Sequence, residues 1–60
     1  MKATLTIQMD NAAFGEYPEQ ELARILRRLA GDVYSEQNRD HFPLFDRNGN
    51  TVGSLTIEED

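Results

Sequence analysis

The motif Asp-x-Asn-x-Asn, which begins at Asp46 and ends at Asn50, is the arrangement of side chains that comes nearest to a known chemical site. Its spacing matches the first three ligand positions of a calcium-binding loop. Such a loop continues with a glycine and places a bidentate glutamate at its twelfth position, where this chain has Thr51 and Ile57. We therefore expect a hairpin turn here and no metal site.

Groups that could catalyse a reaction are few. His41 is the single histidine and follows Asp40, but a catalytic site would also need a nucleophile, an oxyanion donor and a pocket. A chain of 60 residues with one core rarely encloses such a pocket. The chain has no cysteine, which excludes a disulfide and a thiolate-bound metal. We expect no enzymatic activity, no catalytic residue and no cofactor.

Three arginines, Arg24, Arg27 and Arg28, form a basic cluster in an otherwise acidic chain. They could contact phosphate groups, for instance on RNA. The alternative is a solvated helix face with ion pairs such as Glu21 to Arg24. A net charge of −5 disfavours non-specific binding to DNA or anionic lipid, so nucleic acid is the weaker alternative and we expect no membrane contact.

Hydrophobic periodicity predicts the elements that position these groups. Residues 3–9 alternate between apolar and polar side chains, which is typical of a strand with one buried face. Phe14 and Tyr17 are expected to anchor the following loop to the core. Pro18 suits the first turn of a helix, which we expect to continue through Gly31 to about Ser35. Its apolar stripe consists of Leu22, Ile25, Leu26, Leu29 and Val33.

The dipeptide Asn48-Gly49 favours a two-residue type I′ hairpin turn, in which both residues have positive φ. The resulting register pairs Phe45 with Val52 on the outward face of the hairpin. An exposed apolar pair of this kind can form an interface, so Phe45 and Val52 join the three arginines as predicted partner-binding residues. Gly53 lies on the core face, where we expect it to leave room for a large side chain from the helix.

The element order β-α-β-β predicts a single α+β domain over residues 1–60, with a frayed acidic tail at residues 57–60. A helical crossover makes the first two strands parallel to each other. Placing the third strand between them makes every neighbouring pair antiparallel and leaves Pro43 in an edge strand, where proline is tolerated. We therefore predict one helix packed on a three-stranded antiparallel sheet of order 1-3-2.

Four segments together resemble a group of small proteins encoded by bacteriophages and bacterial prophages. These segments are residues 1–5 (MKATL), 9–14 (MDNAAF), 21–27 (ELARILR) and 46–53 (DRNGNTVG). The resemblance covers most of the chain and is least marked over residues 34–45. The group has no established activity, so no functional residue follows from the resemblance. It implies the cytoplasm of a bacterial host and binding to a host protein, such as a restriction or CRISPR component.

The leading hypothesis from the sequence is therefore a non-enzymatic module that acts by protein–protein contact. The second hypothesis is a self-associating structural or assembly protein of a phage, with a homodimer formed through Phe45 and Val52 or through an exposed sheet edge. The third is nucleic-acid binding through the arginine face of the helix.

Overall fold

The computed structural model describes residues 1–59, which form three strands, one α-helix and one 3-10 helix. In chain order these are β1 (Lys2–Ile7), the 3-10 helix (Ala12–Phe14), α1 (Pro18–Ser35), β2 (His41–Phe45) and β3 (Thr51–Glu58). Strand β3 lies between β1 and β2 and is antiparallel to both. The predicted α+β fold and the order 1-3-2 are confirmed.

Helix α1 begins at Pro18 and runs through Gly31, as predicted. The backbone oxygen of Tyr17 accepts hydrogen bonds from the N–H groups of Gln20 and Glu21, which satisfies two donors of the first turn. Nothing lies within 4 Å of a Cβ atom built at Gly31, so no contact requires glycine at this position. Its cost to the helix is the greater flexibility of its backbone. The helix packs mainly over β2 and the 3-10 helix.

The core lies between α1, the 3-10 helix and the β2–β3 hairpin. Its buried members are Ala13, Phe14, Ile25, Leu29, Phe42, Leu44 and Val52. Phe14 is a core anchor, as predicted, but Tyr17 is 60% exposed and the prediction for it is wrong. Tyr17 stands at the N-cap of α1, where its backbone oxygen and not its ring makes the structural contacts.

The hairpin turn is longer than the predicted two-residue turn. Gly49 is the only residue in the described part of the chain with positive φ, at 87°, so Asn48 does not adopt the type I′ conformation. The N–H of Gly49 donates to the backbone oxygen of Asp46 at 3.0 Å, and Phe45 pairs with Thr51. This arrangement matches a turn followed by a left-handed glycine and a bulge.

The bulge changes the position of Val52. Pairing of Leu44 with Gly53 is as predicted, but the register shifts between Leu44 and Phe45. Val52 becomes the extra residue of β3 and turns toward the core, where it is 5% exposed. The predicted outward pair of Phe45 and Val52 therefore does not exist.

Gly53 serves a purpose other than the predicted one. A Cβ atom at this position would lie 1.9 Å from the backbone oxygen of Thr6 and 2.9 Å from Cα of Ile7. The glycine therefore makes room for the backbone of β1 and not for a helix side chain.

The C-terminal strand is longer than the sequence indicates. Residues 57 and 58, predicted to belong to a frayed tail, pair with Ala3 and Lys2 in the β1–β3 ladder. Asp60, the last residue of the predicted tail, lies outside the described residues. Within residues 1–59, no helix has the length and apolar character needed to cross a lipid bilayer.

Candidate functional site

A buried polar cluster connects the hairpin turn to the 3-10 helix. Asp46, which is 4% exposed, accepts hydrogen bonds at Oδ1 from the backbone N–H groups of Asn48 (2.8 Å) and Asn50 (2.9 Å). Its Oδ2 accepts from the side-chain amides of Asn11 (2.7 Å) and Asn50 (3.1 Å). These four donors occupy the acceptor sites of the carboxylate. The Asp-x-Asn-x-Asn motif therefore organises a turn, and the carboxylate of Asp46 has no free acceptor position for a cation.

An ion pair with a buried carboxylate connects α1 to the same turn. Glu21, which is 5% exposed, accepts two hydrogen bonds of 2.9 Å from Arg24 and one of 2.7 Å from the backbone N–H of Arg47. Arg24 also donates to the backbone oxygen of Phe45 at 3.2 Å. The predicted pair of Glu21 and Arg24 is thus present, with Arg24 42% exposed, and it also tethers the helix to the hairpin.

The electrostatics of these groups favour their charged forms. Hydrogen bonds from Arg24 lower the pKa of Glu21 against the opposing effect of burial. Burial raises the pKa of Asp46, but the hydrogen bonds from Asn50 and the other amides outweigh it and the net pKa is lowered. The hydrogen bonds to Glu21 raise the pKa of Arg24. Two carboxylates that stay ionised in fixed hydrogen bonds are suited to hold structure and not to transfer protons.

A groove of about 400 Å³ lies between α1 and β2, and several arginines line it. Its charged lining residues are Arg24, Arg28, Asp32, Arg39, Asp46 and Arg47. Of the three arginines in the predicted basic cluster, the structure brings Arg24 and Arg28 together here and leaves Arg27 outside the groove. Four of the six basic residues of the chain therefore converge on one groove.

Acidic neighbours neutralise much of this positive charge. Arg24 is bound by Glu21, and Arg39 lies 2.9 Å from Glu36. A phosphate group entering the groove would have to compete with these carboxylates for the same guanidinium groups. The geometry therefore gives little support to the arginine face as a nucleic-acid site.

The histidine lies on the β2–β3 ladder, where it contacts a threonine of the neighbouring strand. Nδ1 of His41 is 3.2 Å from Oγ1 of Thr56, its cross-strand neighbour. In the part of the chain that the structure describes, no three metal-binding side chains cluster in a way that could hold a metal ion. The neighbouring Asp40 contributes its backbone oxygen, which accepts from the N–H of Ile57.

The two outer edges of the sheet differ in their hydrogen bonding, and β2 forms one of them. The bond from Ile57 N–H to Asp40 shows that Asp40 directs its backbone toward β3. Along an antiparallel strand, the backbone N–H and C=O groups of successive residues point to opposite sides. Those of His41 and of every second residue after it therefore point away from β3. The outward-facing residues of β2 are His41, Pro43 and Phe45.

This β2 edge is closed. Pro43 has no N–H to offer. The backbone oxygen of His41 accepts from Arg39 at 2.9 Å, and that of Phe45 accepts from Arg24. Proline and charged side chains on an edge are the usual means of preventing another strand from pairing with it. Phe45 is 49% exposed on this edge, so it is accessible but stands beside a blocked backbone.

The β1 edge is open. Gln8 donates its N–H to the backbone oxygen of Val52 at 2.7 Å. The backbone N–H and C=O groups of the even-numbered residues of β1 therefore point toward β3, and those of the odd-numbered residues point outward. The outward-facing residues are Ala3, Leu5 and Ile7. Within residues 1–59, no loop or side chain hydrogen-bonds to this outward row. Strand β1 also contains no proline, and its single charge is Lys2.

The apolar face of the sheet is only half covered. A helix is about 10 Å wide and strands are about 4.8 Å apart, so one helix covers roughly two strands. Here α1 lies over β2, and Leu5 of β1 remains 43% exposed. On the helix, Leu26 is 39% exposed and lies on the flank opposite Arg24, because it follows two residues later at 100° per residue.

We use the term uncovered apolar surface for the apolar side chains of β1, β3 and α1 that lie on the β1 side of the helix and are not fully buried. It consists of Leu5, Leu26, Leu55 and Ile57. The first two are exposed, and Leu55 and Ile57 are half-buried at the border of the core. Sequence periodicity placed Leu26 on the apolar stripe of the helix and Leu5 in a strand with one buried face. The signal that could have shown their exposure is the presence of a single helix for three strands.

No protein-family model matches the chain, and no curated protein or solved structure is similar enough to count as a match.

Proposed function

We propose that this protein is a small non-enzymatic binding module that acts by protein–protein contact through the uncovered apolar surface. The observation that carries the proposal is the half-covered sheet, which leaves Leu5 and Leu26 exposed beside half-buried Leu55 and Ile57. Leu5 and Leu55 are cross-strand partners and so form one apolar patch, and apolar patches on the surface of a small protein are typical of an interaction site.

The charge distribution supports a protein partner. The chain has a net charge of −5, which keeps the protein soluble and disfavours nucleic acid. A partner with an apolar centre and a basic rim would be complementary to it. The sequence resemblance to phage and prophage proteins suggests a host protein in the bacterial cytoplasm, with restriction and CRISPR components as candidates.

Two matched variants test which surface binds. Leu26→Lys introduces a charge into the uncovered apolar surface, and Phe45→Lys introduces the same charge at the closed β2 edge. Both positions are exposed, so neither variant should unfold the chain. Tagged wild-type protein and each variant would be used to capture proteins from bacterial lysate, and the captured proteins would be identified by mass spectrometry.

We expect one host protein to be enriched by the wild type and by Phe45→Lys but lost with Leu26→Lys. Loss with Phe45→Lys alone would move the site to the β2 edge and contradict the proposal. Recovery of nucleic acid that is released steeply with salt would instead favour the arginine groove.

A further inference from the structure

The segment that forms the open edge is nearly symmetric in sequence. Residues 1–9 read MKATLTIQM, with an apolar side chain at every odd position. About Leu5 as the centre, Thr4 corresponds to Thr6 and Ala3 to Ile7. The order of residue types is therefore almost the same in both directions, so a strand paired antiparallel with its own copy places apolar side chains opposite apolar ones and threonines opposite threonines.

The backbone of the segment satisfies the same symmetry. Ala3, Leu5 and Ile7 direct their N–H and C=O groups outward, and these are the groups that an antiparallel neighbour would bind. With Leu5 opposite Leu5 of a second copy, Ala3 lies opposite Ile7 of that copy. Each of these facing pairs exchanges two hydrogen bonds. No other register centred on an outward residue of β1 uses all three.

Side chains and charges agree with this register. Leu5, which is 43% exposed, would meet its equivalent on the apolar face, and the threonines would pair on the opposite face. Lys2 would stand opposite Gln8, so no like charges face each other across the pair. The single charged residue of β1 is Lys2, and all eleven acidic residues of the chain lie outside this strand.

The topology also explains why such pairing would stop at two copies. Joining β1 to a second β1 uses the open edge of both chains. The edges that remain are the two β2 edges, which Pro43 and the hydrogen bonds from Arg24 and Arg39 close. A dimer with closed outer edges cannot extend into a fibre by strand addition.

We propose that the partner at the β1 edge is a second copy of this chain, paired antiparallel through Ala3, Leu5 and Ile7 with Leu5 at the two-fold axis. The two sheets become one continuous sheet with both α1 helices on the same face. The uncovered apolar surfaces of the two copies then lie side by side between the helices. Leu5 belongs to both this contact and the uncovered apolar surface, whereas Leu26 takes no part in strand pairing, so Leu26→Lys should weaken host binding and leave the dimer intact.

Charge-swapped variants at the two-fold axis test the proposal. Leu5→Lys and Leu5→Glu each place like charges directly opposite each other in the dimer, whereas a mixture of the two variants places opposite charges there. The molar mass would be measured by light scattering after size-exclusion chromatography, at several concentrations. Phe45→Lys at the β2 edge is the matched control, and circular dichroism would monitor the fold.

We expect wild type and Phe45→Lys to have twice the mass of the 6.9 kDa chain. Each Leu5 variant alone should be monomeric, and the equimolar mixture should return to the doubled mass. A wild type that stays monomeric at the highest concentration overturns the proposal. So does a Leu5→Lys variant that remains dimeric, or a mixture that stays at the mass of one chain.

Discussion

Asp46 is the residue on which the hairpin turn depends. Its carboxylate accepts four hydrogen bonds, from the backbone and side chain of Asn50, the backbone of Asn48 and the side chain of Asn11. A hydrogen bond to a charged group contributes about 1.5–3 kcal/mol, more than one between neutral groups, so the turn depends on the charge of this carboxylate. Loss of the charge should affect the turn, the 3-10 helix and the attached helix together.

The lowered pKa values of Asp46 and Glu21 predict a loss of stability in acid. Because folding lowers both pKa values, the unfolded chain binds protons more readily, and stability falls as the pH drops. The contribution of the two groups is complete above about pH 4.5, the ordinary pKa of a glutamate, and is lost as the pH falls through the lowered values. Urea unfolding between neutral pH and acid measures this dependence.

The Asp46→Asn variant separates the contribution of this residue. Its side-chain amide would place a donor against the amides of Asn11 and Asn50, which are also donors. We expect it to lose about 1–3 kcal/mol at neutral pH and to show a weaker dependence on acid. Asp40→Asn, at an exposed position, should behave as the wild type. Equal acid sensitivity in Asp46→Asn and wild type would contradict the role of this carboxylate.

At the level of elements, Gly53 sets how closely β1 and β3 approach. A Cβ atom there would overlap the backbone of Thr6 and Ile7, and backbone cannot move aside as the end of a flexible side chain can. We expect Gly53→Ala to destabilise the protein by about 1–3 kcal/mol. In a chain of this size each kcal/mol lowers Tm by roughly 4–8 °C, so thermal unfolding measures the effect.

Gly31→Ala is the control with the opposite sign. Nothing lies within 4 Å of a Cβ at Gly31, and alanine has the higher helix propensity. This substitution should stabilise the protein by about 0.5–1 kcal/mol. If Gly53→Ala were as well tolerated as Gly31→Ala, this would contradict the inference that the close approach of β1 and β3 requires glycine at position 53.

The elements themselves could be predicted from the sequence because each has a clear local pattern. The apolar stripe of α1 continues to Val33, past Gly31, and Pro43 places β2 at an edge. The predicted length of the hairpin turn was wrong, because Asn48-Gly49 alone suggests a turn of two residues. Asp46 at the first position and Gly49 at the fourth carried the signal for the longer turn. The bulge that follows decides that Val52 is buried, and alternation along a strand cannot predict it.

The candidate site could be predicted less well than the fold. The pair of Glu21 and Arg24 follows from helical spacing, and Phe45 is exposed as expected. The contact of Asn11 with Asp46 joins residues 35 positions apart, so no local pattern could show it. The exposure of Leu5 depends on where α1 lies across the sheet, which is a property of packing and not of periodicity.

At the scale of the whole molecule, the two edges of the sheet differ in whether another strand can pair with them. The β2 edge is closed by the chain's own side chains, whereas the β1 edge and the apolar surface beside it are left for other molecules. A chain of 60 residues buries only about 60% of the surface that it exposes when unfolded, so its own core provides limited stability. A second copy at the β1 edge would add stability that the core cannot.

Dimerisation through β1 therefore predicts a Tm that depends on protein concentration. Folded chains that associate are stabilised by mass action, whereas unfolded chains are not. For two chains of this length, a tenfold rise in concentration should raise Tm by up to roughly 5 °C. Leu5→Lys should remove the dependence because it places like charges at the two-fold axis, and Phe45→Lys should retain it. Calorimetry over a range of concentrations makes the comparison, and a wild-type Tm that does not change with concentration would mean that the folded chain is stable alone.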